Sequence, residues 1–453
     1  MVPDDTICAP ATPPVNSAIA IIRISGPLTH DVIKKLFPQQ TDFNERHAYY
    51  LSLFDGNRII DDVIIIFYKK PKTYTGEDMA EIFCHGNQII VKEILQLLHR
   101  NGIRMAEPGE FTKLAFLNGK IDLTEAEAIN HLIVAKSEWE ISMALEQMHG
   151  SLRDAIKAIR KEAIELKADI ECGIDFIEED IEIISKESAL QKLNLIGSDI
   201  NNVFLKCRIG ERLCHGIDIT ITGKPNVGKS SILNLMLNRE RAIVSDIPGT
   251  TRDIIKEPLQ IEGIHFNVID TAGIDSPSNE IERIGIEMSY RNIDESALVI
   301  MVFDASNGIS TADETLYEKI KHKKNCLYLI NKIDIGNDSN IKSIMRILDS
   351  EPILFSAKEG YSLVDLKNKI IEFVNDKFVD TRNSFIADVR IIALLEQSIC
   401  IIKELKGLIK KSEPIEIIAC ELNNFLDKLS EITGEITPEE VLDSLFTRFC
   451  IGK

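Results

Sequence analysis

Residues Gly223-Lys224-Pro225-Asn226-Val227-Gly228-Lys229-Ser230 have the G-x-x-x-x-G-K-[ST] spacing of a phosphate-binding loop. The glycines let successive backbone N–H groups close on one phosphate chain. A helix starting at the loop's end adds its positive terminus. Lys229 is placed to neutralise the β- and γ-phosphates, and Ser230 to offer its hydroxyl to Mg²⁺. Val227, Gly228 and Ser231 complete the expected contacts.

Three later motifs select the base. Asp270-Thr271-Ala272-Gly273 puts a carboxylate where it reaches Mg²⁺ through water and an N–H, on Gly273, where it senses a γ-phosphate. In Asn331-Lys332-Ile333-Asp334, Asp334 accepts two hydrogen bonds from the guanine N1–H and amino group, which adenine does not offer. Ser356-Ala357-Lys358 reaches guanine O6 through backbone N–H. Each tetrapeptide is weak alone. Four in order, each after an apolar run, define a GTP-binding domain.

Position 274 is Ile, where many GTPases place a Gln that orients the attacking water. Glu282, in Glu280-Ile281-Glu282-Arg283-Ile284-Gly285, is the candidate substitute; the other reading is a solvated glutamate at a helix start. Positive charge at the β–γ bridge is also needed. A monovalent cation on the Asn226 side-chain oxygen and on carbonyls of Ser245-Asp246-Ile247-Pro248-Gly249-Thr250-Thr251-Arg252-Asp253 would supply it. Thr251 is the second Mg²⁺ ligand expected from this loop. Arg252 reads either as a finger or as a surface charge. Potassium-stimulated hydrolysis is the expectation.

These motifs need a scaffold. Strand candidates at 217–222, 264–269, 297–303, 326–330 and 352–355 alternate with helical stretches, the pattern of a parallel α/β sheet. Ligands bind at the carboxyl ends of such strands. Residues up to about 118 mix strands (18–24, 61–68, 81–84) with a helix over 89–100, a compact α+β domain. From Thr124 to about 208 the chain is nearly free of Pro and rich in Ala, Glu, Lys, Ile and Leu, hence a run of long helices, with Thr124 and Glu127 as a capping box. Helical composition returns after 377. The fold class is multidomain α/β and α: 1–118 α+β, 119–215 helical, 216–376 an inserted P-loop domain, 377–453 the second helical part.

The 453 residues suit about three domains. Net charge −19 disfavours a broad basic face for nucleic acid, so a partner or local patch must neutralise phosphates. Nine cysteines without C-x-x-C suit a reducing cytoplasm and read, Cys450 aside, as buried small hydrophobes. No apolar run has membrane-spanning length, and the acidic N-terminus lacks a targeting pattern, so a cytoplasmic protein without membrane contact is expected. Thr437-Pro438-Glu439-Glu440 starts a last helix whose Val441, Leu442, Leu445, Phe446 and Phe449 share one face. Cys450 with three following residues formally fits a prenylation box, but Gly452 and Lys453 fit it poorly.

The order of domains, the Pro-Gly-Thr-Thr-Arg-Asp loop and the terminal Cys450-Ile451-Gly452-Lys453 together resemble the MnmE (TrmE) family of tRNA-modification GTPases. Ala11-Thr12-Pro13-Pro14, Arg23-Ile24-Ser25-Gly26, Tyr74-Thr75-Gly76-Glu77-Asp78, Pro108-Gly109-Glu110-Phe111-Thr112 and Phe116-Leu117-Asn118-Gly119-Lys120 extend the resemblance over the whole chain. It implies a homodimer working with an FAD-containing partner, MnmG (GidA), in a heterotetramer or larger complex. A tetrahydrofolate derivative (5-formyl- or 5,10-methylene-) would supply one carbon toward a carboxymethylaminomethyl-type group on C5 of the wobble uridine of certain tRNAs. By motif match, folate falls on Arg23, Glu81, Lys120 and Lys453. Potassium falls on Asn226, Ser245, Ile247 and Thr250, and Mg²⁺ on Ser230 and Thr251. The water-orienting role falls on Glu282, and a thiol role in the modification on Cys450. In this reading Arg23 and Lys120 pair with the folate's carboxylates and Glu81 with its pterin ring. The rival readings are a ribosome-assembly GTPase, which should carry an RNA-binding module or second G domain, and a GTP-switched scaffold.

Overall fold

The computed structural model describes residues 5–175, 185–240, 256–270, 289–377 and 384–452. The expectations placed on Ser245 to Thr251, Arg252, Thr271, Ala272, Gly273, Glu282 and Lys453 lie outside them.

In chain order the first elements are β1 (Ile7–Pro10), β2 (Ser17–Ser25), α1 (Thr29–Leu36), β3 (Ala48–Asp55), β4 (Arg58–Tyr68), β5 (Met79–Gly86), α2 (Gln88–Arg100), β6 (Arg104–Met105), α3 (Glu110–Leu117), α4 (Leu123–Val134), α5 (Glu138–Met148), α6 (Ser151–Asp175) and α7 (Lys186–His215). Then follow β7 (Ile217–Thr222), α8 (Lys229–Glu240), β8 (Lys256–Ile261), β9 (Ile264–Asp270), α9 (289–295), β10 (Leu298–Asp304), α10 (Thr311–Ile320), β11 (Cys326–Asn331), α11 (Asp338–Met345), β12 (Ile353–Leu354), α12 (Leu363–Lys377), α13 (Val389–Lys411), α14 (Ile415–Thr433) and α15 (Glu439–Phe446). The chain divides into two compact units. One is Met1–Asn130, Met148–Gly197 and Gln397–Lys453; the other is His131–Gln147 and Ser198–Glu396.

The first unit is built on a sheet of order β3-β4-β5-β2-β1-β6, antiparallel except for β1 with β6. Alternation along β2 and β5 sends Ile22, Ile24 and Ile82 to one face, where Ile33 of α1 and Ile94 and Leu98 of α2 cover them. Arg23 and Glu81 stand opposite each other in register on the other face. There Ile7, Met79 and Phe111 form a second, smaller cluster. The long helix α6 packs on α14, with Arg160 donating to Ser430 Oγ at 3.2 Å. Helix α15 buries Leu442 and Phe446 against Phe116 and Leu123, while Val441, expected on that face, stays exposed.

The second unit holds a sheet of order β12-β11-β10-β7-β9-β8, parallel except for β8 with β9. Every residue of β10 is buried, as expected when both faces are covered. On one side lie Ile219, Ile221, Ile300 and Leu329 with Met236 of α8 and Leu366 of α12. On the other lie Val299, Met301 and Phe303 with Leu316 of α10 and Ile344 of α11. All five sheet strands expected here are present, offset by at most a few residues. Strand β8 goes unread because Lys256, Glu257 and Pro258 look like a turn; an edge strand tolerates its proline.

Two further readings are corrected. The first helical cap is Asp122 with Glu125, not Thr124 with Glu127. Asp122 Oδ1 accepts from the Glu125 N–H at 2.9 Å, and Glu125 Oε2 accepts from the Asp122 N–H at 2.9 Å. Leu123 already opens the helix, so Thr124 sits inside its first turn and donates to Asp122. The cysteines are not uniformly buried. Burial pushes the Cys8 and Cys214 thiols up to about 12 and those of Cys84 and Cys326 up to about 11. Cys400, Cys420 and Cys450 are exposed, because they fall on solvent faces of helices or in the tail.

Candidate guanine-nucleotide and tail sites

The phosphate loop joins the carboxyl end of β7 to α8, which begins at Lys229 itself. Lys229 is 7% exposed, and its ammonium donates to the Gly223 and Lys224 carbonyls, each at 3.0 Å. The loop's shape depends on Gly228. Its φ is +99°, and a Cβ there would lie 2.3 Å from Asn331 Nδ2. Ser230 and Ser231 are exposed on the first turn of α8. Asp270 ends β9 in register with Ile221 of β7, which brings its backbone beside the start of the loop.

The guanine motif is wired into this loop. Asn331, 2% exposed at the end of β11, donates from Nδ2 to the Val227 carbonyl at 2.8 Å and accepts at Oδ1 from the Ala357 N–H at 3.0 Å. That second bond occupies one of the N–H donors expected for guanine O6. Lys332, at φ +62°, donates to the Asn226 carbonyl at 2.6 Å and to Asp304 Oδ2 at 2.7 Å. Asp334 Oδ1 accepts from Ser356 Oγ at 2.8 Å, which fixes the carboxylate and leaves acceptor capacity on its other oxygen. Ile333 N–H reaches the Phe355 carbonyl at 3.3 Å, and Lys358 is exposed. Asn226, Val227, Gly228, Lys229, Asn331, Lys332, Asp334, Ser356 and Ala357 thus converge at the carboxyl edge of one sheet.

Asn226 is exposed at φ +65°. Its backbone carbonyl is taken by Lys332, and its carboxamide has no hydrogen-bond partner among the described residues. That neutral oxygen is the donor type an alkali cation takes.

Asp304 carries no motif and is missed by the sequence reading. It is 2% exposed and accepts from the Ser306 N–H, Ser306 Oγ, Asn307 Nδ2 and Lys332 Nζ. Burial alone would raise its carboxyl pKa. The bonds from Lys332 and Ser306 outweigh that and hold it below the ordinary range. A carboxylate closing a wholly apolar strand was the available signal.

In the first unit, Arg23 donates from Nε and Nη2 to Glu81 Oε1 at 3.1 and 3.0 Å, and Tyr68 Oη donates to Glu81 Oε2 at 3.1 Å. Both side chains of the pair are largely buried, at 18% and 17% exposure. The guanidinium lies over the rings of Tyr74 and Phe111, at 5.7 and 5.8 Å from their centroids. The chain's tail comes to the same place. Arg23 Nη1 donates to the Gly452 carbonyl at 3.3 Å, and the Gly109 N–H to the Cys450 carbonyl at 3.4 Å. Lys120 instead donates to the Pro71 carbonyl at 2.8 Å, against the loop through Gly76.

A strand–loop–helix phosphate cradle, a guanine motif bonded to it and a mostly parallel sheet define a P-loop protein of the GTP-binding class. A family model described as the MnmE helical domain matches residues 123–450, and one described as GTP-binding protein TrmE N-terminus matches residues 6–120. The chain is 40% identical over 452 residues to the tRNA modification GTPase MnmE of Thermotoga sp. (strain RQ2), covering 99% of this chain and 100% of that one. It is 40% identical over 451 residues to the protein of that name from Aquifex aeolicus (strain VF5), again 99% and 100%. The chain belongs to the MnmE family. A solved structure of Era with MgGDPNP and a segment of 16S ribosomal RNA is 30% identical over 34% of this chain and 56% of that chain, with a TM-score of 0.29, too low to add an argument.

Proposed function

We propose that this chain is a GTP hydrolase acting in tRNA modification. One observation supports this most: the guanine motif and the phosphate loop are bonded to each other through Asn331 in a chain that matches tRNA modification GTPases end to end. Deleting the gene and analysing the nucleosides of bulk tRNA tests it. Wobble-uridine modification should disappear and return with a plasmid copy. Unchanged nucleosides would overturn it.

Within that reading GTP lies along the carboxyl edge of β7, β10 and β11. Asp334 would take the guanine N1–H and amino group, Lys229 would pair with the β- and γ-phosphates, and Ser230, with Thr251, would hold Mg²⁺. The Asn226 carboxamide, which has no partner among the described residues, fits potassium, and Ser245, Ile247 and Thr250 would be the other ligands. The ion would supply positive charge at the β–γ bridge. Glu282 orients the attacking water, the role that Ile274 cannot fill.

The Arg23–Glu81 pair fits a tetrahydrofolate derivative, which would supply a one-carbon unit. A donor and an acceptor side chain stand beside each other on one face of the sheet, which suits a ring with hydrogen-bonding edges such as a pterin. Because Arg23 is already bonded to Glu81, both belong at the ring end. The carboxylate end then falls to Lys120, with Lys453 as a further contact. Cys450 takes part near the ring. Homodimerisation, an FAD-bearing MnmG partner and a carboxymethylaminomethyl-type product complete the proposal. A partner with basic surface for tRNA suits a chain of net charge −19. No described helix is long and apolar enough to cross a membrane.

A further inference from the structure

The segment from Asp304, the last residue of β10, to Asp313 holds the phosphate loop at two points, one directly and one through Lys332. Asp304 Oδ2 holds Lys332 Nζ at 2.7 Å, and the same ammonium donates to the Asn226 carbonyl at 2.6 Å. Asp313 Oδ2 holds Lys224 Nζ at 2.7 Å, two positions before Asn226. Both carboxylates are almost wholly buried, at 2% and 1% exposure. Both are also built into rigid local structure. Asp304 closes a turn through Ser306 and Asn307, and Asn340 of α11 donates to the Ala305 and Ser306 carbonyls behind it, each at 3.1 Å. Asp313 forms a capping box with Ser310 at the start of α10.

We infer that this segment is a brace that fixes the backbone of Asn226, and that Asp304 and Asp313 are positioning residues setting how tightly the loop holds its monovalent cation. The inference rests on the potassium reading of Asn226. Asn226 sits at φ +65°, a left-handed conformation that Asn adopts more readily than most residues but that its local chain does not impose. Here the Lys332 ammonium fixes it, and Asp304 aims that ammonium. Buried lysine–carboxylate pairs add little net stability, because desolvation offsets their attraction. What they supply is geometry. Losing one strut lets the Asn226 carbonyl swing and its carboxamide leave the cation.

The test compares wild type with Asp304→Asn and Asp313→Asn. Half-saturating potassium is measured for GTP hydrolysis. Thallium(I), a potassium surrogate, is titrated by NMR into protein carrying GDP and aluminium fluoride. Each variant should need about fivefold more potassium and bind thallium more weakly by a similar factor. The dissociation constant of a fluorescent GDP should rise less, and kcat at saturating potassium should persist. A merely structural role would lower Tm and kcat without moving potassium affinity. If Asp304→Asn does not fold, Ser306→Ala, which removes one of the bonds that aim the Asp304 carboxylate, is read in its place. Unchanged potassium and thallium affinity in the variants would overturn the brace alone. A wild type indifferent to both ions would overturn the potassium reading and the brace with it.

Discussion

The Asn331 carboxamide donates to the Val227 carbonyl at 2.8 Å, so the end of β11 and the phosphate loop are one bonded unit. Its oxygen is equally committed, to the Ala357 N–H. Asn331→Ala leaves a carbonyl and an N–H unpaired in a buried place, at a cost of about 1–3 kcal/mol each. Affinity for GDP, measured with a fluorescent analogue, should fall at least roughly tenfold, since 1.4 kcal/mol is one decade. Gly228→Ala should be worse for binding, because its Cβ would collide with Asn331. Wild-type affinity in either variant would refute the coupling.

The nucleotide site was legible because its groups sit at fixed spacing in short runs, and the strand–helix alternation around them has one economical fold. What was not legible is held together across long sequence separations. Lys332 meets Asp304 28 positions away and Asn226 106 positions away, pairings that no local pattern encodes. Arg23 reaches Gly452 across 429 residues. Family resemblance named Arg23 and Glu81, but only register along β2 and β5 shows that they face each other. Strands β1 and β6 escaped because they are 4 and 2 residues long. The cap at Asp122 escaped because S/T-x-x-E and D-x-x-E patterns overlap within a few residues, and the frame is set by where packing starts the helix.

Asp334 should decide the base. One of its oxygens is fixed by Ser356 Oγ, so the side chain cannot rotate away from the base edge. Asp334→Asn replaces an acceptor by a donor. It loses the guanine amino group and gains a partner in the C2 carbonyl of xanthine. Loss of two hydrogen bonds to a charged group predicts GTP affinity lower by on the order of a hundredfold or more, with xanthosine triphosphate bound better than GTP. Competition binding of the two nucleotides checks this. A variant that still prefers GTP would remove Asp334 from the base site.

Gly452 should be irreplaceable for the tail. Its φ is +91°, and a Cβ there would lie 2.3 Å from the Pro10 carbonyl. Gly452→Ala must therefore lift the tail off β1, taking the Gly452 carbonyl from Arg23 and moving Cys450. GTP hydrolysis should continue at the wild-type rate, because the nucleotide residues lie in the other unit. Wobble-uridine modification in cells should fall by on the order of tenfold or more, the scale expected when a reacting group shifts by about an ångström. Full modification with this variant would show that the seat of the tail is dispensable.

His265 should give the nucleotide-binding unit a pH-dependent stability. It lies on β9 at 6% exposure, and its Nδ1 has no partner among the described residues. Burial, with a smaller contribution from the Lys136 charge, lowers its pKa below the ordinary 6.5, while Asn267 pulls weakly the other way. The folded unit thus holds the ring neutral, whereas the unfolded chain takes up a proton near pH 6.5. Its stabilising contribution is complete above that pH and is lost as pH falls toward the depressed folded value, by at most about 1.4 kcal/mol per pH unit for one proton. Trp139 reports on this unit alone. It is the single tryptophan of the chain, and its backbone N–H donates to the Gly263 carbonyl at the β8–β9 turn at 3.2 Å. Urea unfolding followed by Trp139 fluorescence should show a midpoint that drops between about pH 7.5 and about pH 5.5 in wild type. In His265→Phe it should drop less, since that variant has no proton to take up there. Parallel pH profiles for the two proteins would exclude His265 as the group responsible.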